Sequence, residues 1–304
     1  MFVWNQTQQL FRAFQDDVID PNFSLTTAEI LVIDMIAYPH IDPVAIRLGP
    51  LQIHWYGLMY VIGIGLAWWL ARRRAERGQV GLTRDQVEDL IFYAALGVVI
   101  GGRLGYTLFY NLPSFIDNPA MLVRIWEGGM SFHGGMLGVF VAMGWYGRKL
   151  GTGFFLLADF IAPLVPIGLF AGRIGNFING ELWGKPTDLP WAMVFPLAGP
   201  EPRHPSMLYE ALLEGVVLYA ALNLLSRMSP PRRAISGWFM LLYGVFRFAV
   251  EFVRLPDAHI GYLAFGWLTM GHVLTLPMIL LGALLLFLAY RETSIAEVQE
   301  VSAE

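Results

Sequence analysis

Apolar runs of bilayer length, separated by short polar breaks, set the pattern of this chain. A helix needs about 20 apolar residues to cross the hydrocarbon layer. Seven stretches come close to that length: Ile53–Ala71, Val87–Tyr110, Phe132–Tyr146, Phe154–Phe177, Met207–Leu225, Ile235–Val253 and Trp267–Tyr290. Glycines interrupt the third, making it the weakest of the set. The pattern predicts an all-α, polytopic membrane protein of about seven transmembrane helices. One membrane domain is expected over residues 35–290, with a short cytoplasmic tail over 291–304.

The basic residues orient these spans. Arg72, Arg73, Arg74, Arg77 and Arg84 follow the first, Arg148 and Lys149 the third, Arg227, Arg232 and Arg233 the fifth, and Arg291 the seventh. These are eleven of the 20 lysines and arginines, against five in the opposite loops (Arg47, Arg124, Lys185, Arg203, Arg254). The positive-inside rule then places the N-terminus in the periplasm and the C-terminus in the cytoplasm. Among the outer segments, Asn111–Gly129 mixes Phe115, Ile125 and Trp126 with polar residues and is expected to lie along the membrane surface. Leu182–Pro205, rich in proline and aromatics, is expected to form a small periplasmic cap. Residues 1–34 lack the basic and apolar regions of a secretory signal and look foreign to the rest. Met35 makes a natural start, so 1–34 reads as a poorly ordered leader or a mis-assigned start.

Composition changes the picture in two ways. Only 14% of the residues are charged and 56% are hydrophobic, against about 25% charged in a soluble domain, so the chain is membrane-embedded. The absence of cysteine excludes disulfides, a thiolate nucleophile and thiolate metal ligands within the chain. The six histidines show no HExxH-type spacing, so neither a metal nor a cofactor is expected, and no nucleic-acid partner is indicated.

Against this apolar background, Gly172–Gly184 reads GRIGNFINGELWG and places Arg173, Asn176, Asn179 and Glu181 at the end of a membrane run. Polar groups near a span centre cost roughly 2.5–3.5 kcal/mol each on insertion scales, and so mark functional positions. Arg173 and Asn176 share a helical face, with Glu181 just past the expected helix end. Tyr243, Arg247, Glu251 and Arg254 lie along one face of the sixth span, with Arg247 deepest. Arg247 and Glu251 have two readings, a structural ion pair or a guanidinium fork that binds an anion. Arg103 adds another buried cation, and Glu210 and Glu214 read as partners for Arg103 or Arg173. Arginines in excess of Glu181 and Glu251 call for an external anion, and a phosphodiester headgroup is the obvious one in a bilayer. His133, flanked by glycines, is open to two readings: a helix-start packing group, or a base for a thiol or hydroxyl. Asp159 reads as structural, and Tyr56 as an aromatic-belt anchor.

With these residues in view, the chain resembles the prolipoprotein diacylglyceryl transferases of bacterial inner membranes. The resemblance runs from about Ile41 to Tyr290. It rests on Gly172–Gly184 together with HWYGLMY (His54–Tyr60), SFHGG (Ser131–Gly135), RHPSMLYE (Arg203–Glu210) and YGVFRFAVEFVR (Tyr243–Arg254). It implies transfer of the diacylglyceryl group of phosphatidylglycerol to the thiol of a prolipoprotein lipobox cysteine, with glycerol phosphate released. It implies dependence on Tyr56, His133, Arg173, Asn176, Glu181, Gly184, Tyr243, Arg247 and Glu251. In that reading Arg173 and Arg247 hold the phosphate, Asn176 and Glu181 orient them, and Glu251 fixes Arg247. His133 is the candidate base, with Tyr243 or the phosphate itself as rivals. A monomer is the expected assembly. Three other classes fit the residues less well. A transporter would show inverted repeats, and none is visible. An intramembrane serine protease would need Ser131 or Ser206 in a nucleophile turn. A lipid-binding scaffold would not need so many polar groups at one depth.

Overall fold

The structure, a computed structural model, describes residues 36–301 apart from 40, 50, 79–80, 125–128 and 257–259. The expectations for 1–34, for Ile125 and Trp126, and for the last three residues of the tail lie outside the described residues.

Among the described residues, ten α-helices carry the fold. They are α1 (Trp55–Glu76), α2 (Arg84–Tyr110), α3 (Leu112–Asp117), α4 (Phe132–Leu150), α5 (Phe154–Ile161), α6 (Val165–Asn179), α7 (Ser206–Glu210), α8 (Leu218–Ser226), α9 (Ala234–Glu251) and α10 (Met270–Val301). Among the described residues, five stretches are helical, long and apolar enough to cross a membrane: Arg84–Tyr110, Phe154–Asn179, Ser206–Ser226, Ala234–Glu251 and Met270–Glu292. α1 and α4 are also continuous helices of 22 and 19 residues, but arginines and glycines dilute their apolar content. Exposed side chains such as Val61, Ile64, Phe92, Val141, Leu280 and Phe287 line the outside of the bundle, where lipid replaces water as solvent.

Local chemistry explains the helix limits. Thr83 and Gln86 form a reciprocal capping box at the start of α2: the Thr83 hydroxyl accepts from Gln86 N at 3.3 Å, and Gln86 Oε1 accepts from Thr83 N at 2.9 Å. Ser131 accepts from Gly134 N at 3.2 Å and starts α4. Pro163 and Pro166 tighten the fourth span into a short 3₁₀ turn, Ala162–Leu164, between α5 and α6. The fifth span has a break that no sequence period announced. Ala211–Val217 is π-helical between α7 and α8, and such wide turns concentrate at functional sites.

The glycines of the third span, expected to weaken it, instead form its packing seam. A Cβ at Gly134 or Gly138 would overlap the backbone of Gly97, Gly101 or Gly105 on α2. With little hydrophobic drive between helices in lipid, this close approach supplies the van der Waals contact. Ala71, Val87, Leu90, Met143, Tyr146, Leu157 and Phe160 then fill the core between α1, α2, α4 and α5.

The all-α expectation needs one correction, because the outer segments fold partly as β-structure. Ile36–Ala37 (β1) pairs in parallel with Met193–Val194 (β4), which pairs antiparallel with Pro202–Arg203 (β5). Val44–Leu48 (β2) and Leu51–His54 (β3) form an antiparallel hairpin leading into α1. These segments leave the apolar phase, where extended backbone would carry unsatisfied polar groups, so strand pairing becomes available to them.

Candidate active site

Three arginines and three glutamates meet where α6, α7, the π-helical turn and α9 converge. Arg173 Nε lies 3.0 Å from Glu210 Oε2, and its Nη2 lies 3.6 Å from Glu214 Oε2. Arg247 Nη1 lies 3.2 Å from Glu210 Oε1 and 2.7 Å from Glu251 Oε2. Arg254 Nε lies 3.7 Å from Glu210 Oε1, and its Nη1 lies 3.4 Å from Glu251 Oε2. Glu210 touches all three guanidiniums and is the hub of the cluster.

This corrects the expected excess of cations. Within the cluster the charges balance, because Glu210, Glu214 and Glu251 face Arg173, Arg247 and Arg254. Arg103, taken from sequence as a further cation of that group, belongs elsewhere. Its guanidinium donates to the carbonyls of Leu122 at 3.1 Å, Gly129 at 2.9 Å, Arg124 at 3.0 Å and Met121, and so clamps the outer loop. The reading of Glu210 and Glu214 as partners thus holds for Arg173 and not for Arg103.

The geometry within the balanced cluster is uneven. The side chains of Glu210 and Glu214 are fully buried and that of Glu251 is 4% exposed, whereas Arg173 and Arg254 keep 20% and 16% exposure. Arg247 is 12% exposed, so all three arginines reach further toward the surface than the carboxylates they face. Among the described residues, the oxygens of Glu210 and Glu214 make no hydrogen bond of good geometry, so they are held by charge and not by directed bonds. Burying so many ions costs several kcal/mol each before attraction is counted, and apolar replacements are often neutral or stabilising. A cluster this expensive points to work on a ligand more than to stability.

The remaining predicted positions are placed as follows. Asn176 Nδ2 donates to Glu181 Oε1 at 2.8 Å, and Asn179 Nδ2 donates to the same oxygen at 3.2 Å. Gly180, at φ 63°, ends α6 so that the chain can turn Glu181 back over this face. Tyr56 packs against Gly175 and its hydroxyl lies 3.2 Å from that of Tyr60. Tyr243, one turn before Arg247, stacks on Phe239 with ring centroids 5.8 Å apart. Gly184 works through its backbone: its N donates to His204 O at 2.8 Å, Lys185 N donates to Val253 O at 2.8 Å, and Gly184 bridges to Arg254. A Cβ at Gly184 would meet that of His204 at 2.8 Å, so only glycine lets the cap seat against the end of α9. His133 stands exposed in the first turn of α4, whose main packing partners are α2 and α5. The arginine–glutamate cluster gathers on α6, α7, the π turn and α9 instead.

Sequence reasoning missed a second tier. Thr269 Oγ1 donates to Glu251 Oε1 at 2.7 Å and lies 3.0 Å from Nδ1 of the buried His272. His272 is wedged among Phe248, Phe252 and Trp267 and locks Thr269 in place. Tyr38 donates to the carbonyls of Phe177 at 2.6 Å and Ile178 at 2.8 Å, satisfying the last turn of α6. The signal for the first was the TxxH spacing at the head of the last span; Tyr38 had none.

In the cap, Trp191 Nε1 donates to the Tyr209 hydroxyl at 2.7 Å, and that hydroxyl lies 3.2 Å from His204 Nδ1. Burial, reinforced by Lys185, holds the His204 imidazole below its usual pKa. Since the unfolded cap binds this proton more readily, the neutral imidazole contributes stability that is lost as pH falls below about 6.5. Cleavage within 182–205 by a pH-tolerant protease should accelerate between pH 7.5 and pH 5.5 in wild type and much less in His204→Gln. Equal acceleration in both would remove His204 from the account.

A family model described as prolipoprotein diacylglyceryl transferase matches residues 43–288. The chain is 69% identical over 261 residues to the phosphatidylglycerol–prolipoprotein diacylglyceryl transferase of Methylococcus capsulatus, covering 86% of this chain and 100% of that protein. It is 62% identical over 257 residues to the protein of the same name from Pseudomonas aeruginosa, covering 84% of this chain and 97% of that one. A Pseudomonas fluorescens protein of that name is 61% identical over 259 residues, covering 84% and 96%.

Proposed function

Because the chain belongs to the prolipoprotein diacylglyceryl transferase family and is a phosphatidylglycerol–prolipoprotein diacylglyceryl transferase, we propose that its arginine–glutamate cluster is where the lipid phosphate is held. The observation that carries this reading is the unequal burial of the cluster, with the carboxylates wholly or almost wholly buried and the three arginines partly exposed. Each guanidinium has five N–H donors, and its glutamates engage only part of that fork. A phosphodiester oxygen can compete for the rest, because the contacts of Glu210 and Glu214 lack directed hydrogen bonds.

In this reading Arg173 and Arg247 grip the phosphate while the acyl chains stay in lipid. The cysteine sulfur of the prolipoprotein lipobox attacks the glyceryl carbon that bears the phosphate. A C–S bond forms, the C–O bond breaks, and glycerol phosphate leaves with the electron pair. Charge grows on the departing phosphate, where a preorganised donor contributes about 2.7–4 kcal/mol. Asn176 and Glu181 orient the arginines, Glu251 and Thr269 fix Arg247, and Gly184 seats the cap over the cleft. The thiol proton goes to a base, for which His133, Tyr243 and the phosphate are the candidates. The enzyme lies in the bacterial inner membrane with seven spans, α1 and α4 included, its N-terminus in the periplasm and its C-terminus in the cytoplasm. It works without cofactor or metal, as a monomer.

The test is reconstitution with labelled phosphatidylglycerol and a lipobox peptide. The expected result is a peptide heavier by one diacylglyceryl group, with glycerol phosphate released in equal amount. Labelled lipid crossing the bilayer with the peptide unmodified would overturn the reading in favour of transport. His133→Gln separates the candidate bases. If the imidazole takes the thiol proton, transfer should fall by about 10²–10⁴-fold and the acid limb of the pH–rate profile should vanish. An unchanged profile would leave His133 as a helix-start residue.

A further inference from the structure

At the other end of the bundle, the first span finishes beside a second set of cations. Tyr56 packs on the signature helix α6, and Arg74 lies 18 residues further along α1, about 27 Å away at 1.5 Å per residue. There a cavity of about 310 Å³ opens, walled by Arg74, Asp159, Ser226, Ser229 and Arg232.

Asp159 is already committed. Its Oδ2 accepts from Arg233 N at 2.6 Å, and its Oδ1 accepts from Ser236 N at 2.7 Å and from the Ser236 hydroxyl at 2.6 Å. It therefore caps α9 and leaves little acceptor capacity for a guanidinium. Neighbouring cations have carboxylates of their own: Arg72 pairs with Glu88 at 3.4 Å and Arg233 with Glu292 at 2.7 Å. Arg74 instead gives one hydrogen bond, 3.3 Å long, to the Phe160 carbonyl and lies 5.4 Å from the Phe160 ring centroid. Among the described residues, neither Arg74 nor Arg232 is in ion-pair contact with a carboxylate. With Asp159 counted, the walls carry one net positive charge and the hydroxyl of Ser229, that of Ser226 being donated to the Leu222 carbonyl at 2.7 Å. A second cavity of about 250 Å³ shares Ser229 and Pro230 and is walled by Leu225, Met228, Pro231 and Tyr290, which makes it largely apolar. A donor-rich chamber beside an apolar one suits a phosphate with hydrocarbon attached.

We propose that this cavity is a second phosphate site, remote from the transfer reaction, which takes either the headgroup phosphate of an anionic phospholipid from the leaflet at this end or free phosphate. Arg74 and Arg232 grip its oxygens and the Ser229 hydroxyl completes the shell. The proposal stands on these residues alone and does not depend on how transfer occurs.

Two assays test it. In nanodiscs, a phosphatidylglycerol with a photoreactive acyl chain should label peptides spanning 224–236, and Arg74→Gln/Arg232→Gln should cut that labelling at least fivefold while labelling at 172–184 stays constant. In detergent, equilibrium dialysis with radiolabelled inorganic phosphate asks whether the headgroup alone suffices. Labelling without phosphate binding assigns the site to lipid; phosphate binding that the double variant abolishes assigns it to the free anion. Ser229→Asp covers misfolding of the double variant. Ser229 has φ 50°, which aspartate tolerates, so this change adds a repelling charge while keeping both arginines. It should lose the same signal with an unaltered melting temperature and unaltered transfer. Absence of both signals in wild type, or signals indifferent to the variants, overturns the site.

Discussion

Arg247→Lys should lower diacylglyceryl transfer by about 10²–10³-fold, the usual cost of one preorganised donor at a developing oxyanion, while the protein still inserts and extracts normally. The charge survives this substitution and the fork does not. Arg247 Nη1 serves Glu210 at 3.2 Å and Glu251 at 2.7 Å, so the proposed phosphate contacts fall to its other donors. A lysine ammonium is a compact point charge that cannot span both glutamates and also present a planar edge to a phosphate. Membrane extraction and melting temperature measured beside transfer separate chemistry from folding. Wild-type transfer by the lysine variant would remove the phosphate grip from this residue.

The second large effect falls on stability. Glu210→Gln keeps the shape of the hub and removes its charge, leaving Arg173, Arg247 and Arg254 to share Glu214 and Glu251. Breaking a buried ion network from one side costs about 3–5 kcal/mol. For a protein of this size that corresponds to a fall of roughly 10 °C in melting temperature. Adding Arg254→Gln restores the charge balance and should recover part of the loss, a coupling that a plain packing defect would not show. A hub variant that melts with wild type would mean the cluster is solvated and its burial counts for little.

The sequence carried unequal amounts of this information. Span positions were legible because apolar runs of bilayer length have few other uses, and the ends of α2 and α6 follow from local residues, Thr83 with Gln86 and Gly180. The polar positions of the Gly172–Gly184 segment were legible because charge is rare at that depth. Their partners were legible only in part: Glu210 and Glu214 do face Arg173, as read, but the contacts of Glu210 with Arg247 and Arg254 were not foreseen. Glu210 and Glu214 sit on another span, and single-chain spacing says nothing of which helix faces which. The mistaken cation excess followed from counting only nearby carboxylates. The strands of the cap escaped because pairs such as Ile36–Ala37 with Met193–Val194 join segments more than 150 residues apart and two residues long. Arg254 stood on the Arg247 face all along, but only the bridge from Gly184 brings it inward.

The π-helical turn over Ala211–Val217 separates two faces of one span. Before it, Glu210 looks into the charged cluster; after it, Leu218 and Leu222 pack against Ala162 and Ile235 in an apolar seam. A regular helix advances about 100° per residue, so losing a single residue inside the wide turn would swing one half around relative to the other. Either the carboxylate would be carried toward hydrocarbon or the leucines toward the guanidiniums. The spacing between charged cluster and greasy joint is thus held by residue count, and apart from Glu214 and Gly215 this short stretch should tolerate changes of side chain far better than changes of length.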